Sequence, residues 1–302
     1  MTTMETTGST VPRRQLGRYL RDLRNRQKIT VKAAAEQLEW SEAKIWRVET
    51  GKTSLRSLDV EQMCRFYGAP ADLTEALMGL AKETKAKGWW HSYGDVIPEG
   101  FDVYIGLEEA ASLLCMYQSE LVPGLLQTPD YARAVIRSGV EGKTWPEPDD
   151  TDEQVDRLVR LRIERQAMIR RSSIPLELRA VLNEAVIRRP VGGREVMAGQ
   201  LDALARAADL PNISLRVVPF SAGLHEGVMS GPFYVLRFPA NGDGQDSEPP
   251  TVYVNGYTGD LYLDKPREIE QYTDAFESIW AAARDERASA GLIRQSAKEL
   301  RK

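Results

Sequence analysis

From Leu16 onward the apolar positions recur at helical spacing and are cut into short runs by capping residues. Leu16, Leu20 and Leu23 fall at i, i+4 and i+7, which predicts a first helix. Thr30 is placed to cap a second, whose inner face is Val31, Ala34, Ala35 and Leu38. Ser41 is placed to cap a third, anchored inward only by Ile45 and Val48 and ended by Gly51. Ser57 can cap a fourth, with Met63, Phe66 and Tyr67 facing in, and Pro70 opens a fifth that runs to Lys85. Five short helices in so little chain predict a compact all-α unit of low contact order.

The pattern changes after Lys85. "KAKGWWHSYGDVIPEGFD" breaks helical periodicity with Gly and Pro, yet Trp89, Trp90, Tyr93, Phe101 and Tyr104 argue against a loose tether. A helix is expected over Tyr104–Glu120, then the break "VPG", then a helix that starts with Thr128 as cap and Pro129 at its first position. "EGKTWPEPDDTDEQ" reads as a solvated acidic loop, followed by a long charged helix over 152–171. "PLELRAVL", "ISLRVVPF", "PFYVLRF", "TVYVNG" and "DLYLD" alternate like strands. Helices are expected over 193–208 and 265–288, and "PANGDGQDSEPP" reads as a polar hairpin loop. The chain therefore divides into a disordered tail (1–12), a helical domain (13–85), an aromatic-rich connection (86–106) and a larger domain (107–302). The fold class is α+β, its second domain carrying a small, mainly antiparallel sheet.

Charge sharpens this division. The 302 residues carry a formal charge of −4, but residues 11–68 hold 13 Lys+Arg against 7 Asp+Glu, a difference of +6. The remainder holds 27 against 37, a difference of −10. A basic module suited to phosphates is joined to an acidic one that phosphates would repel. No apolar run is long enough to span a bilayer, and Cys64 and Cys115 lack metal-ligand spacing, so a cytosolic protein with reduced thiols is expected.

The third helix has too narrow an inner stripe to exist for packing alone. Two short helices joined by a tight turn, the second presenting polar side chains, form the helix-turn-helix plan, with the small Ala35 allowing a close crossing. Ser41, Glu42, Ala43, Lys44 and Arg47 would then face the major groove. Arg47 can donate two bonds to guanine, Lys44 can reach a base edge or a phosphate, and Glu42 can accept from a cytosine amine. Arg13, Arg14, Arg18, Trp46, Lys52 and Arg56 are candidate phosphate contacts, which position without specifying sequence.

"LRDLR", "TVKAAAEQL" and "SEAKIWRVETGK" together resemble the Xre/Cro phage-repressor family over residues 14–72. The resemblance implies a structural ion pair between Arg24 and Glu49, outside the DNA-contacting set. Where the family often has glycine in the turn, this chain has Glu39; a left-handed conformation there would cost roughly 1 kcal/mol.

The rest of the chain is also familiar. "LEEAASLLCMYQSELVPGLLQTPDYARAVI", "ERQAMI", "LNEAVIRRPVGG", "LRVVPFSAGLH" and "GPFYVLRFP" resemble the C-terminal domain of the actinobacterial WhiJ-like regulators, from Trp89 to the end. That resemblance implies an antitoxin-like or developmental regulator, with a small protein partner often encoded alongside, and no enzyme activity or cofactor. Trp89, Trp90, Tyr93, Leu125, Leu126 and His225 are the candidate partner or ligand surface. Leu125 and Leu126 are expected rather to plug the core, and the aromatic set to form an interdomain seam or else line a pocket. His225 has Glu226 and Ser230 nearby, but no G-x-S-x-G elbow or acid–base pair supports catalysis. "GGREVMAG" lacks the spacing of a dinucleotide-binding turn, and "NGDGQD" lacks the glutamate of a calcium loop.

Three roles follow: a DNA-binding regulator with a small protein partner, a regulator sensing a small molecule through its acidic domain, or an enzyme with a DNA-targeting module. A partner surface predicts an exposed apolar patch, a sensor a closed apolar pocket, an enzyme convergent titratable groups. Palindromic operators would require a homodimer. The stripe Ile269, Tyr272, Phe276, Ile279 and Trp280 is a candidate dimer face that suits domain core better.

Overall fold

The computed structural model describes residues 9–98, 101–138, 152–172, 175–240, 248–256 and 259–302. Most of the expected tail, most of the acidic loop after Ser138 and the tip of the 239–250 hairpin loop lie outside these residues. Contact density divides the chain into two compact units: residues up to Ser92 with Ile105–Ala110, and Tyr93–Tyr104 with Ala111–Lys302.

The first unit is built on α1 (Thr10–Arg26), α2 (Val31–Gln37), α3 (Glu42–Glu49), α4 (Ser57–Phe66) and α5 (Ala71–Glu83). α1 starts at Thr10, inside the stretch expected to be a tail, and Ser9 and Thr10 are buried. Thr30 and Ser41 cap α2 and α3 by accepting from the Ala33 and Lys44 amides. Ser57 does not cap α4: Arg56 takes that position, and the Ser57 hydroxyl donates to the Met78 carbonyl instead. Leu16, Leu20, Ile45, Val48, Val60, Met63 and Tyr67 form the core.

Close approach between α1 and α3 is made by Gly17, where a Cβ would sit 2.5 Å from the Val48 carbonyl oxygen. A glycine inside an otherwise helical run was the sequence signal for this contact. The turn between α2 and α3 is left-handed at Glu39, φ 55°.

The second unit is a mixed sheet of six strands in the order β3-β2-β1-β4-β5-β6. The strands are β1 (Leu113–Gln118), β2 (Glu177–Asn183), β3 (Ile213–Val218), β4 (Phe233–Arg237), β5 (Thr251–Val254) and β6 (Leu261–Leu263). β1, β2 and β3 pair in parallel; β1 with β4, β4 with β5 and β5 with β6 pair antiparallel. The helix expected over Tyr104–Glu120 is therefore a short α6 (Phe101–Ala110) followed by the central strand. "LLCMYQ" is buried along almost its whole length, as a strand covered on both faces must be.

Strand alternation fixes what each face carries. On one face Cys115, Tyr117, Phe233, Val235 and Val252 pack on Phe276 and Ile279 of α12 (Pro266–Ala282). That stripe is core, not a dimer face. Trp280 on α12 lies between two guanidiniums, Arg179 at 4.4 Å and Arg216 at 4.2 Å from its ring centre. The helix expected over 265–288 stops at Ala282; Asp285 then caps α13 (Glu286–Leu300), its carboxylate accepting from Ala288 N–H at 2.7 Å.

The opposite face is bordered by α7 (Pro129–Arg137), α8 (Asp152–Arg165) and α10 (Arg194–Ala207), with the small α9 (Glu184–Arg188) after β2 and α11 (Glu226–Ser230) before β4. Thr128 caps α7 ahead of Pro129. The "VPGLLQT" stretch forms a 3-10 turn, Gly124–Leu126, pinned by three glutamines. Gln127 Nε2 donates to Val122 O, Gln166 Nε2 to Gln127 O, and Gln200 Nε2 to Leu126 O, each at 2.7 Å.

Candidate functional site

α3 carries a polar outer face on an apolar anchor. Ile45 and Val48 are buried beneath it, and Glu42, Ala43, Trp46 and Arg47 are exposed. Behind the anchor, Arg24 and Glu49 make a bidentate ion pair, Nε to Oε1 at 2.6 Å and Nη2 to Oε2 at 2.7 Å. Arg24 Nη1 also donates to the Ile29 carbonyl. The pair holds the Arg24 guanidinium above its ordinary pKa, through the hydrogen bond to Glu49 first.

Two tryptophans organise the cations on this face. The Lys44 ammonium lies 3.3 Å from the centre of the Trp40 ring, and the Lys52 ammonium 4.4 Å from that of Trp46. Trp46 itself is half exposed, at 51%. Trp40 was missed in the sequence reading; its signal was an aromatic four residues before Lys44. Ser41 accepts from the Lys44 amide, which leaves its hydroxyl proton free to donate outward. Among the described residues the Arg47 guanidinium has no hydrogen-bond or ion-pair partner.

The flanking cations differ in availability. Lys52 and Arg56 are exposed, although Arg56 forks onto Asp59 at 3.1 Å. Arg13 and Arg18 are half-buried, and Arg13 Nε donates to the Thr84 carbonyl. Arg14 is buried, its backbone only 2.7 Å from where a Cβ on Gly51 would stand. Arg14 is thus the least accessible of the candidate phosphate contacts. Gly51 has φ +71°, so the glycine is required there both by conformation and by space.

In the second unit, the candidate surface residues separate. Leu125 and Leu126 are buried core, as are Tyr93 and Trp90; Trp90 and Trp89 belong to the first unit. His225 is half-buried and caps α11, Nδ1 accepting from Gly227 N–H at 3.1 Å, with its ring edge-on to Tyr117. Burial lowers its pKa. Around it Phe220, Leu224, Val228 and Met229 are 61%, 80%, 57% and 78% exposed. This apolar stretch was not read from the sequence, where "SAGLHEGVMSG" drew attention only for its histidine.

A cavity of about 340 Å³ opens on the sheet face opposite α12. Phe101, Tyr104, Tyr234 and Tyr253 supply aromatic walls, Val122–Gly124 of the pinned turn a third side, and Arg162 and Arg165 of α8 its positive charge. Cys64 and Cys115 are free and buried, and burial raises both thiols, Cys115 to about 11. Neither has the depressed pKa of a reactive cysteine.

Residues 101–295, more than half of the chain, match the family described as Domain of unknown function (DUF5753). The chain belongs to the DUF5753 family. Residues 15–77 match the family described as Helix-turn-helix domain, which spans α2, α3 and α4 and most of α1 and α5. The N-terminal module is thus a helix-turn-helix domain, the architecture of DNA-binding regulators. Comparison with curated proteins and with solved structures found no match. Among the described residues no helix is long and apolar enough to cross a membrane.

Proposed function

We propose that this protein is a sequence-specific, homodimeric transcription regulator of the Xre type that reads the major groove with α3 and takes up a small protein partner on its second unit. The observation that carries the reading is Arg47. It is a guanidinium without a partner among the described residues, on the exposed face of a helix held from behind by a buried ion pair. Ser41, Glu42, Ala43 and Lys44 share that face; Lys52, Arg56, Trp46, Arg18 and Arg13 are the candidate phosphate contacts around it. A dimer would place two such helices on half-sites about 34 Å apart.

The partner reading is supported by the exposed apolar side chains between Phe220 and Met229 beside His225. Together with the resemblance to WhiJ-like regulators, it suggests antitoxin-like or developmental control by a small protein, and an actinobacterial, cytoplasmic setting. A second reading, a regulator that senses a small molecule, is favoured by the aromatic cavity.

The test starts with selection of a binding site from random duplexes by the full-length chain. Arg47→Ala should then weaken the selected site by about 1–3 kcal/mol and relax preference at one base pair. Unchanged affinity and unchanged preference would remove α3 as the reading face.

A further inference from the structure

The sheet register builds the cavity floor. Gln118 follows Met116 by two on β1, Met116 pairs with Tyr234, and Tyr234 pairs with Tyr253. Two-residue alternation therefore puts Gln118, Tyr234 and Tyr253 on one face. Tyr104 closes over them, 4.3 Å from the Tyr253 ring centre and 5.6 Å from that of Tyr234. Phe101 stacks on Tyr104, and the Arg165 guanidinium lies over both rings at 5.2 and 5.4 Å. Flat faces on several sides suit a flat guest.

One polar group in this wall lacks a partner. Gln118 is 9% exposed, lines the cavity, and its Nε2 has no acceptor among the described residues. An orphaned buried donor is costly, and the neighbouring glutamines Gln127, Gln166 and Gln200 all donate to carbonyls.

Charged side chains of both signs also line the cavity. Two guanidiniums reach the wall: Arg162, whose Nη1 donates to Gln127 Oε1 at 2.8 Å, and Arg165, which stands over the Phe101 and Tyr104 rings. Of the two acidic residues at the rim, Glu120 is paired with Arg189, and Asp260 accepts from Asn255 Nδ2 at 3.2 Å. Burial raises the Tyr253 hydroxyl, which stays neutral.

We propose that this cavity binds a small planar aromatic carboxylate, its ring against Tyr104, Tyr234 and Tyr253 and a carboxylate oxygen accepting from Gln118 Nε2 in the field of the two arginines. At about 340 Å³ the volume is at the small end of ligand pockets, suited to a one- or two-ring acid rather than a peptide. Only the regulatory consequence rests on the sensing reading; binding and DNA control are measured separately.

The probe is 2-naphthoate, titrated calorimetrically into the full-length chain, with 2-naphthylmethanol as the neutral control. Stoichiometric binding at or below about 1 mM, with the alcohol about tenfold weaker, is expected. Gln118→Leu should weaken 2-naphthoate about tenfold while raising the thermal midpoint of the ligand-free protein, because it removes an unpaired buried donor. A glutamine with a merely structural role would show the reverse, a lower midpoint and an unchanged dissociation constant, and that result overturns the assignment. If Gln118→Leu does not fold, Gln118→Glu should abolish binding of the anion and spare the alcohol. No heat with 2-naphthoate, or equal affinity for acid and alcohol, also overturns it. Binding without any change in DNA affinity would leave the ligand site standing and remove the sensing reading.

Discussion

Replacing Arg24 by methionine tests how α3 is held. The substitution keeps the aliphatic stem in the core and removes the fork that grips both oxygens of Glu49. Side-chain exposures of 10% and 5% make this a buried pair, where the loss of one partner strands the other's charge. Such a break costs about 3–5 kcal/mol, and freeing the Ile29 carbonyl adds about 1 more. Domains of this size have only about 5–15 kcal/mol in total. Arg24→Met should therefore bring the first unit close to unfolding, with the loss centred on Glu42–Glu49. The double variant Arg24→Met, Glu49→Met has no stranded charge and should regain most of that stability. Urea denaturation of the full-length chain gives the magnitude, and hydrogen exchange across α3 gives the location. A single-variant cost under about 1 kcal/mol, or a double variant no better than the single, would refute the argument from stranded charge.

Glu39→Gly relieves a left-handed side chain and should stabilise the first unit by about 0.5–1 kcal/mol in the same urea assay; a loss of stability would mean the Glu39 side chain contributes something its backbone angle hides. Gly17→Ala places a methyl 2.5 Å from the Val48 carbonyl and should cost about 2 kcal/mol or more, read as a lower thermal midpoint; a neutral result would show that α1 and α3 can slide apart freely. His225 has a lowered pKa, so its neutral ring contributes stability fully above the unfolded value of about 6.5 and loses it as pH falls through the folded value. Protection of the Glu226–Ser230 amides, taken relative to their intrinsic exchange rates, should accordingly fall on acidification, and His225→Asn should flatten that response; protection factors indifferent to pH would show that the cap is dispensable.

The first unit was legible because its signals are local. Thr30 and Ser41 sit where caps belong, and Ile45 and Val48 mark the anchor without reference to anything distant. The central strand was not legible for the opposite reason. "LLCMYQ" is apolar without alternation, and only Ser112 separates it from the helical "EEAA", so periodicity alone could not place the boundary. The break after Ala282 was hidden in the same way, since Asp285 caps a new helix with no Gly or Pro to announce it. Burial of Arg14 could not be read from a run of arginines, because the chain places it under Gly51, far away in sequence. The cavity needs α6, β1, β4, β5 and α8 at once. Its sequence traces are Phe101 and Tyr104, two of the aromatic set read as a seam or a pocket lining, and the matching strand phase of Tyr234 and Tyr253, which means nothing until their register is known.

The position of β1 at the middle of the sheet also governs how the chain can be made. Its neighbours are β2, ending at Asn183, and β4, ending at Arg237, so β1 leaves the ribosome long before either exists. The helices through Glu83 need only nearby contacts and can settle early, whereas Leu113–Tyr117 waits as an uncharged, proline-free apolar run. Such a segment invites pairing with other nascent chains. Weakening β4, by Val235→Ala for instance, lengthens that wait, and its first effect should be on how much soluble protein a cell yields rather than on how well the surviving molecules bind DNA.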